Sequence, residues 1–446
     1  MLNYVIIADD LTGANATGVL IKKLNLKTVT LMNSLKKDDL GKAYDTVLYS
    51  TDSRGVEKED AYERVLQATE FFFSSDVKVY GKRIDSTLRG NIGAEIDGML
   101  DSLPRDTIAA IVPSFPDANR QAVGGYLLVN GKSLEDTDAA KDGKKPINSS
   151  VIEKLVKEQS KYEVASIYLE DVKKGYKNLQ DKIMDIYNKS KKLIIFDAVD
   201  NKDLEIISKA LINTNIKFTC VDPGPFTAET IKQYVALDKE NKKEVNYKDN
   251  NKNKNNKVLM SIGSITDTTR AQLERILKDR NIFKIDINSR KLLSDLNTKH
   301  EEIDRIANKV IANQDSYDIF CIVLDSLYEE VRINLDEEAK KQNTTKEFLS
   351  QIMNTAVAEM SYKIMQEIKS IKGIFSSGGD ISVSICRKFN SAGLELLDEV
   401  IPLAAYGKFI EGEFPDMRIV SKGGMVGQED AMELCIDYLL KNINCD

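Results

Sequence analysis

The sequence predicts an α/β protein built from two α/β domains with mainly parallel sheets. Three observations predict it. Short apolar runs of strand length alternate with longer helical patterns along most of the chain. The alternation stops over 238–257 and then restarts. A length of 446 residues, 42% hydrophobic and 30% charged, suits more than one domain with a sizeable core in each.

Before the interruption, apolar runs predict strands at Tyr4–Ala8, Thr28–Met32, Thr46–Ser50, Val77–Tyr80, Ile108–Val112, Ser166–Leu169, Leu193–Phe196 and Phe218–Val221. Helical spacing predicts Lys58–Phe73, Asn91–Leu103, Ser150–Gln159, Gly175–Asn188 and Lys202–Leu211 between them. Continuously apolar strands interleaved with helices are the pattern of buried parallel sheets. Residues 238–257 hold seven lysines and seven asparagines in twenty positions, with almost nothing to bury, so they read as a linker. Beyond it come strands at Val258–Ile262, Phe283–Ile287, Ile319–Leu324, Gly373–Ser376 and Val400–Ala404. Helices are expected at Thr268–Asp279, Glu347–Ile368 and Gln428–Leu440. The expected domains are therefore 1–237 and 258–446, joined by 238–257.

Composition removes several function classes. The net charge of −7 gives no reason to expect nucleic acid or an acidic membrane surface as a partner. No apolar stretch approaches the roughly 18 residues of a membrane span. The N-terminus MLNYVIIADDLTG turns acidic too early for a secretory signal. Five dispersed cysteines form neither a metal motif nor a disulfide framework, which fits a cytoplasmic protein. The single histidine, His300, lies in the polar stretch Asn297–Glu302 and reads as a surface residue. A Ser-His-Asp triad, a HExxH zinc site or a histidine proton relay is thus excluded, and acid–base chemistry falls to Asp, Glu or Lys.

In open α/β sheets, ligands bind beyond the carboxyl ends of the strands. Several predicted strands become abruptly polar there. The first ends in Ala8-Asp9-Asp10-Leu11-Thr12-Gly13-Ala14, where one aspartate can cap the next helix while the other meets a ligand or metal. The third ends in Ser50-Thr51-Asp52-Ser53-Arg54. The fourth leads into Lys82-Arg83-Ile84-Asp85-Ser86-Thr87-Leu88-Arg89-Gly90-Asn91, with three cations, a carboxylate and a glycine before a helix. Such a segment suits an anionic small molecule. After the fifth, Pro113 and Pro116 fix a loop that carries Arg120.

The second domain offers three small-residue loops before helices: Ser261–Thr266, Ser376–Ser382 and Ser421–Gly427. Together they suit a nucleotide-phosphate cradle, although neither GxxxxGK[ST] nor GxGxxG occurs.

The runs ADDLTGA (8–14), KRIDSTLRGN (82–91), VPSFPDANR (112–120) with the following GGYLLVNG, and the two C-terminal glycine loops resemble the four-carbon acid sugar kinase family. The resemblance runs along both domains. It implies ATP-dependent phosphorylation of a hydroxyl, the terminal 4-OH, of threonate, erythronate or 3-oxo-tetronate. It also implies that the first domain holds the acid and the second the nucleotide. Carried over by motif, Asp10, Arg54, Lys82, Arg83 and Asp85 are acid contacts. Ser264, Gly378, Gly379, Asp380, Ile381 and Gly424 are ATP contacts. Two motifs depart from the family: Gly-Gly-Glu-Thr is Gly378-Gly379-Asp380-Ile381, and Ala-Arg-Asp is Ala140-Lys141-Asp142.

The residues and the resemblance agree on a mechanism. Lys82, Arg83 or Arg54 would hold the substrate carboxylate, with Arg89 and Arg120 as further candidates, and Asp85 or Asp10 would act as the base. Mg²⁺ would bridge the ATP phosphates, since a hard cation prefers oxygen ligands and retains waters. Transfer is expected in an active-site cleft between the domains, with sugar acid and ATP as small-molecule partners and homo-oligomerisation compatible with the chain. Two alternatives bind similar ligands: an NAD(P)-dependent hydroxyacid dehydrogenase and a non-catalytic sugar-acid sensor. The first lacks a dinucleotide fingerprint and a placed histidine. The second gives no reason for paired aspartates at a strand tip.

Overall fold

The computed structural model describes residues 2–32, 37–141, 146–237 and 256–443. Two compact units divide the chain, Met1–Glu244 and Val245–Asp446. The Lys/Asn-rich segment 238–257 lies outside the described residues except for Asn256 and Lys257, and Asp142 also lies outside them.

The first unit contains strands β1 (Tyr4–Ala8), β2 (Thr28–Leu31), β3 (Thr46–Ser50), β4 (Val79–Arg83), β5 (Ile108–Ile111), β6 (Arg120–Val123), β7 (Tyr126–Val129), β8 (Lys132–Ser133), β9 (Val164–Ile167), β10 (Leu193–Phe196) and β11 (Phe218–Asp222). Eight of them form a sheet in the order β2-β3-β1-β4-β11-β5-β10-β9, with parallel neighbours throughout. Helices cover both faces. Helix Leu11–Lys22 packs with Pro225–Leu237, and helix Lys58–Phe72 packs with Ile92–Ser102. That double cover explains why β1 is apolar at every position: Tyr4, Val5, Ile6, Ile7 and Ala8 are all buried.

The second unit contains β12 (Lys257–Ile262), β13 (Ile282–Ile287), β14 (Ile319–Leu324), β15 (Ile371–Ser377), β16 (Gly393–Ile401), β17 (Ala404–Ile410) and β18 (Arg418–Lys422). Its strand order is β13-β14-β12-β15-β18-β17-β16. Only β17 runs antiparallel to its neighbours. The core joins β12, β14, β15 and β18 to the C-terminal helix Ala431–Asn442 through Met260, Val323, Phe375, Val420 and Ile436.

Both units share one topological feature. The chain lays β2 and β3 on one side of β1 and then crosses to place β4 on the other. It likewise lays β13 and β14 on one side of β12 and places β15 on the other. Each reversal of strand order opens a crevice at the carboxyl ends of the two strands that flank it.

Two expectations change. The strand expected at Val77–Tyr80 is β4, Val79–Arg83, extended by pairing with β1 and β11 on either side. Lys82 and Arg83 are therefore inside a strand rather than beyond it. The strand expected at Val400–Ala404 is instead the turn of the β16–β17 hairpin, because Pro402 cannot donate to a ladder and Leu403 adopts φ +69°. The Gly124–Gly125 loop closes a hairpin of β6 and β7. The polar stretch Asn297–Glu302 is part of a helix, Leu296–Ala312, with His300 exposed on it.

Candidate active site

At the first reversal, β1 ends in Asp9 and Asp10. Asp10 is the N-cap of helix Leu11–Lys22, its carboxylate accepting from the Gly13 N–H at 2.7 Å. The same carboxylate also meets Arg54 Nη1 at 2.7 Å and Arg83 Nη1 at 3.1 Å. Asp9 is 2% exposed and is bonded to the same two arginines, by Arg54 Nε at 2.7 Å and Arg83 Nη1 at 3.1 Å. Burial alone would raise the Asp9 pKa, but Arg54, Arg83 and Lys82 outweigh it and hold the carboxyl below its usual range. Both aspartates of the pair are thus engaged by guanidinium groups, including the one that caps.

Lys82 and Arg83 are successive strand residues and so point to opposite faces of the sheet. Lys82 turns toward helix Ile92–Ser102, where its fully buried Nζ contacts Glu95 Oε2 at 2.7 Å and donates to the Arg83 carbonyl at 2.8 Å. Ser53 donates to the other Glu95 oxygen at 2.6 Å. Burial pushes the Glu95 carboxyl up despite the lysine beside it. Arg83 turns the other way, onto helix Leu11–Lys22. A Cβ at Gly13 would lie 1.7 Å from Arg83 Nη1, so only glycine leaves space for the guanidinium there.

Asp85 follows β4 and is 5% exposed. Arg89 grips it with two bonds, Nε to Oδ2 at 2.8 Å and Nη2 to Oδ1 at 2.9 Å, and Arg54 Nη2 stands 3.6 Å from Oδ1. The Thr87 N–H and hydroxyl also donate to it. Burial opposes the charge, yet Arg89, Arg54 and Arg83 hold the Asp85 carboxyl well below the ordinary carboxylate range. The tight return of the chain needs Leu88 at φ +61° and Gly90 at φ +100°. Arg120, at the start of β6, is the last member of the group and lies within electrostatic range of Asp85 and Arg89.

At the second reversal the loops interlock. The Gly263 and Ser264 N–H groups donate to the Ser377 carbonyl at 3.2 and 3.0 Å. The Gly378 N–H donates to the Lys422 carbonyl at 2.9 Å. Thr266 and Thr269 hydroxyls both donate to the Gly424 carbonyl at 2.9 Å, and Thr269 also donates to Ser264 Oγ at 2.9 Å. Gly378, at φ +115°, caps the ten-residue helix Gly379–Lys388, which starts with the exposed Asp380. Ile381 is 1% exposed, so its side chain belongs to the core and only its backbone faces the helix start. The structure brings Ser264 together with Gly378 and Gly424 around one helix N-terminus.

Lys422 supports this loop from below. Its buried Nζ donates to the Gly423 and Val426 carbonyls at 3.0 and 3.2 Å and has no carboxylate partner among the described residues. Burial lowers its pKa to about 8. The unfolded chain therefore holds more protons at this position between about pH 8 and pH 10, and the buried ammonium costs less stability as pH rises through that window. Relative to Lys422→Met, the parent protein should gain about 2 kcal/mol between pH 7 and pH 9.5. Urea unfolding of both proteins at the two pH values measures the difference, and parallel pH dependences would contradict it.

Asp9, Gly13 and Thr266 lie inside the motifs described above without a role of their own there, and Glu95 and Thr269 lie outside the motif segments that assign ligand contacts. Glu95 carries a visible signal: it falls on the apolar face of its helix with Ile92, Ile96 and Met99, where a carboxylate is out of place. The roles of the other four are fixed by contacts made across the fold.

Among the described residues, no helix is long and apolar enough to cross a membrane. Cys220, Cys321, Cys386 and Cys435 are buried free thiols.

Comparison with known proteins matches both halves. A family model described as a sugar-binding N-terminal domain covers residues 4–230, and one described as a nucleotide-binding C-terminal domain covers 259–432. D-erythronate kinase of Heliobacterium modesticaldum is 36% identical over 452 residues, covering 100% of this chain and 98% of that one. D-threonate kinase of Salmonella typhimurium is 27% identical, with 98% of each chain covered. 3-oxo-tetronate kinase of Haemophilus influenzae is 25% identical, with 96% of this chain and 98% of that one covered. A crystal structure from Salmonella typhimurium LT2 superposes with TM-score 0.78 at 17% identity, covering 98% of this chain and 100% of that one. That of Haemophilus influenzae protein HI1011 gives 0.69 at 22% identity with the same coverage, and both likenesses speak to the fold alone. Fold, strand-end chemistry and full-length relatives define a phosphotransferase with an alcohol group as acceptor. The chain belongs to the four-carbon acid sugar kinase family.

Proposed function

We propose that this protein uses ATP to phosphorylate the terminal hydroxyl of a four-carbon sugar acid of the erythronate type. The observation that carries the reading is full-length similarity to a D-erythronate kinase, in a chain whose first strand-order reversal gathers arginines and carboxylates. The unit before residue 238 would hold the acid and the unit after 257 the nucleotide. Arg54, at the meeting point of Asp9, Asp10 and Asp85, would hold these carboxylates toward the substrate. Arg83 and Asp10 complete that wall. Arg89 aligns Asp85, whose carboxylate would accept the proton of the attacking hydroxyl. Lys82, wholly buried against Glu95, would act by fixing β4 rather than by touching substrate.

In the second unit the backbone N–H groups of Gly379, Asp380 and Ile381 at the helix start would donate to phosphate oxygens, with Ser264 Oγ beside them. Among the described residues, no group of three or more His, Cys, Asp or Glu side chains could hold a metal ion. Mg²⁺ carried on ATP phosphates and water would have Asp380, the exposed carboxylate at the loop, beside it. The ion would neutralise phosphate charge when bound.

ADP release measured by a coupled assay over D-erythronate, D-threonate and 3-oxo-tetronate isomers tests the reading. Turnover of at least one acid, dependent on ATP, is expected, and ADP production indifferent to every acid would overturn it. A separate result is expected for the glycine loop. A Cβ at Gly424 would fall 2.2 Å from Ser264 Oγ, so Gly424→Val must spread the loop. Its ATP affinity should fall by about 10-fold or more, since the loop amides would no longer converge. Calorimetric titration of the folded variant with parental affinity would remove this loop from the site.

A further inference from the structure

The strand-end cluster pairs its charges unevenly. Asp9, Asp10 and Asp85 are bonded by Arg54, Arg83 and Arg89, and Lys82 is bonded by Glu95. One cation is left. Arg120 has no acidic partner within ion-pair distance among the described residues; its Nη1 donates to the Ala118 carbonyl, and its buried Nε has no hydrogen-bond partner. Burial and the positive charge of Arg89 make its ionisation harder, with only Asp85 helping from a distance. A buried guanidinium nitrogen with no acceptor is costly and calls for one.

The backbone holds Arg120 in this position firmly. Its N–H and carbonyl bond Phe115 in both directions, at 3.0 and 2.9 Å. Asn119, at φ +56°, makes the turn before it. The hairpin that Arg120 begins is clamped at its far end by Asp197, 1% exposed, which accepts from the Gly124 and Gly125 N–H groups at 2.7 and 3.1 Å. A guanidinium on so firmly held a backbone, with its Nε open and no carboxylate paired to it among the described residues, is suited to a planar carboxylate.

Resting on the kinase reading above, we infer that Arg120 is the specificity-determining residue that binds the carboxylate of the sugar acid and so discriminates acids from neutral polyols and amides. Arg54, Arg83 and Arg89 then have a different role, which is to hold the aspartates that face the substrate's hydroxyl groups.

The test compares D-erythronate with its uncharged amide, D-erythronamide, on the parent enzyme, Arg120→Gln and Arg120→Lys. For the acid, KM should rise about 30-fold or more in Arg120→Gln, the loss expected for a charge-assisted pair. It should rise less in Arg120→Lys, which keeps the charge but loses the fork. The amide KM and the ATP KM should change by no more than about threefold. A structural role would raise the acid and amide values together, and that outcome overturns the assignment. So does an acid KM within threefold of the parent in both variants. Should Arg120→Gln not fold, the Arg120→Lys acid-to-amide ratio decides alone: an unchanged ratio rejects the inference. Absence of turnover by the parent enzyme with any acid is distinct, because it rejects the kinase reading instead.

Discussion

Asp85→Asn should lower kcat by about 10²-fold or more while leaving ATP affinity intact, the loss expected when a general base is removed. Asparagine keeps the shape and can still accept one bond from Arg89, so the pocket need not collapse. It cannot take the proton of an attacking hydroxyl. Burial opposes the charge, but Arg89 and Arg54 hold the Asp85 carboxyl well below the usual range, favouring the ionised form that a base needs. An acid limb in the pH profile of kcat near neutrality would therefore belong to another group. Steady-state kinetics of the variant, with nucleotide affinity measured separately, check the expectation. Turnover near the parent's would shift the role to Asp10.

The second large effect is expected at a residue with no functional group. Gly13→Ala places a methyl group within 1.7 Å of Arg83 Nη1. Arg83 is 4% exposed and pinned by Asp9 and Asp10, so it has little space into which to retreat. Either the guanidinium leaves the two carboxylates or helix Leu11–Lys22 moves, and each outcome disorganises the tip of β1. The kcat/KM for the acid should fall by about 10²-fold, with the ATP KM little changed. A Gly13→Ala enzyme with parental kcat/KM would mean that Arg83 can be displaced without cost, and that the Asp9–Arg83–Asp10 bridge is structural only.

These two residues also show what a one-dimensional reading reaches. Asp85 is legible because a carboxylate among three cations at a strand end is unusual in itself. Gly13 is visible as part of a motif, but its purpose is fixed by a guanidinium seventy residues away in the chain. The alternation of apolar strands and helices carries the architecture, since doubly covered parallel strands have no polar face to confuse the pattern. It does not carry strand ends. Lys82 and Arg83 read as a ligand-facing pair beyond the strand, whereas pairing with both β1 and β11 draws them into it and sends Lys82 to Glu95. Counting only apolar positions passes over this partner, although a carboxylate on the apolar face of its helix is the signal that marks it. In the second unit, glycine-rich loops mark the crevice, but the hydroxyl network of Ser264, Thr266 and Thr269 beneath Gly424 spans more than 150 positions of sequence.

The placement of Lys82 and Arg83 on opposite faces of β4 bears on how this family can diverge. Two helical layers, one on each side of the sheet, are pinned by neighbouring residues of a single strand. A substitution at either position disturbs one layer. A one-residue insertion or deletion between Val79 and Lys82 would instead reverse the alternation, sending the lysine toward Gly13 and the arginine toward Glu95. Both layers would then lose their anchors at once. A change of length in this part of the strand is therefore more disruptive than a change of either side chain.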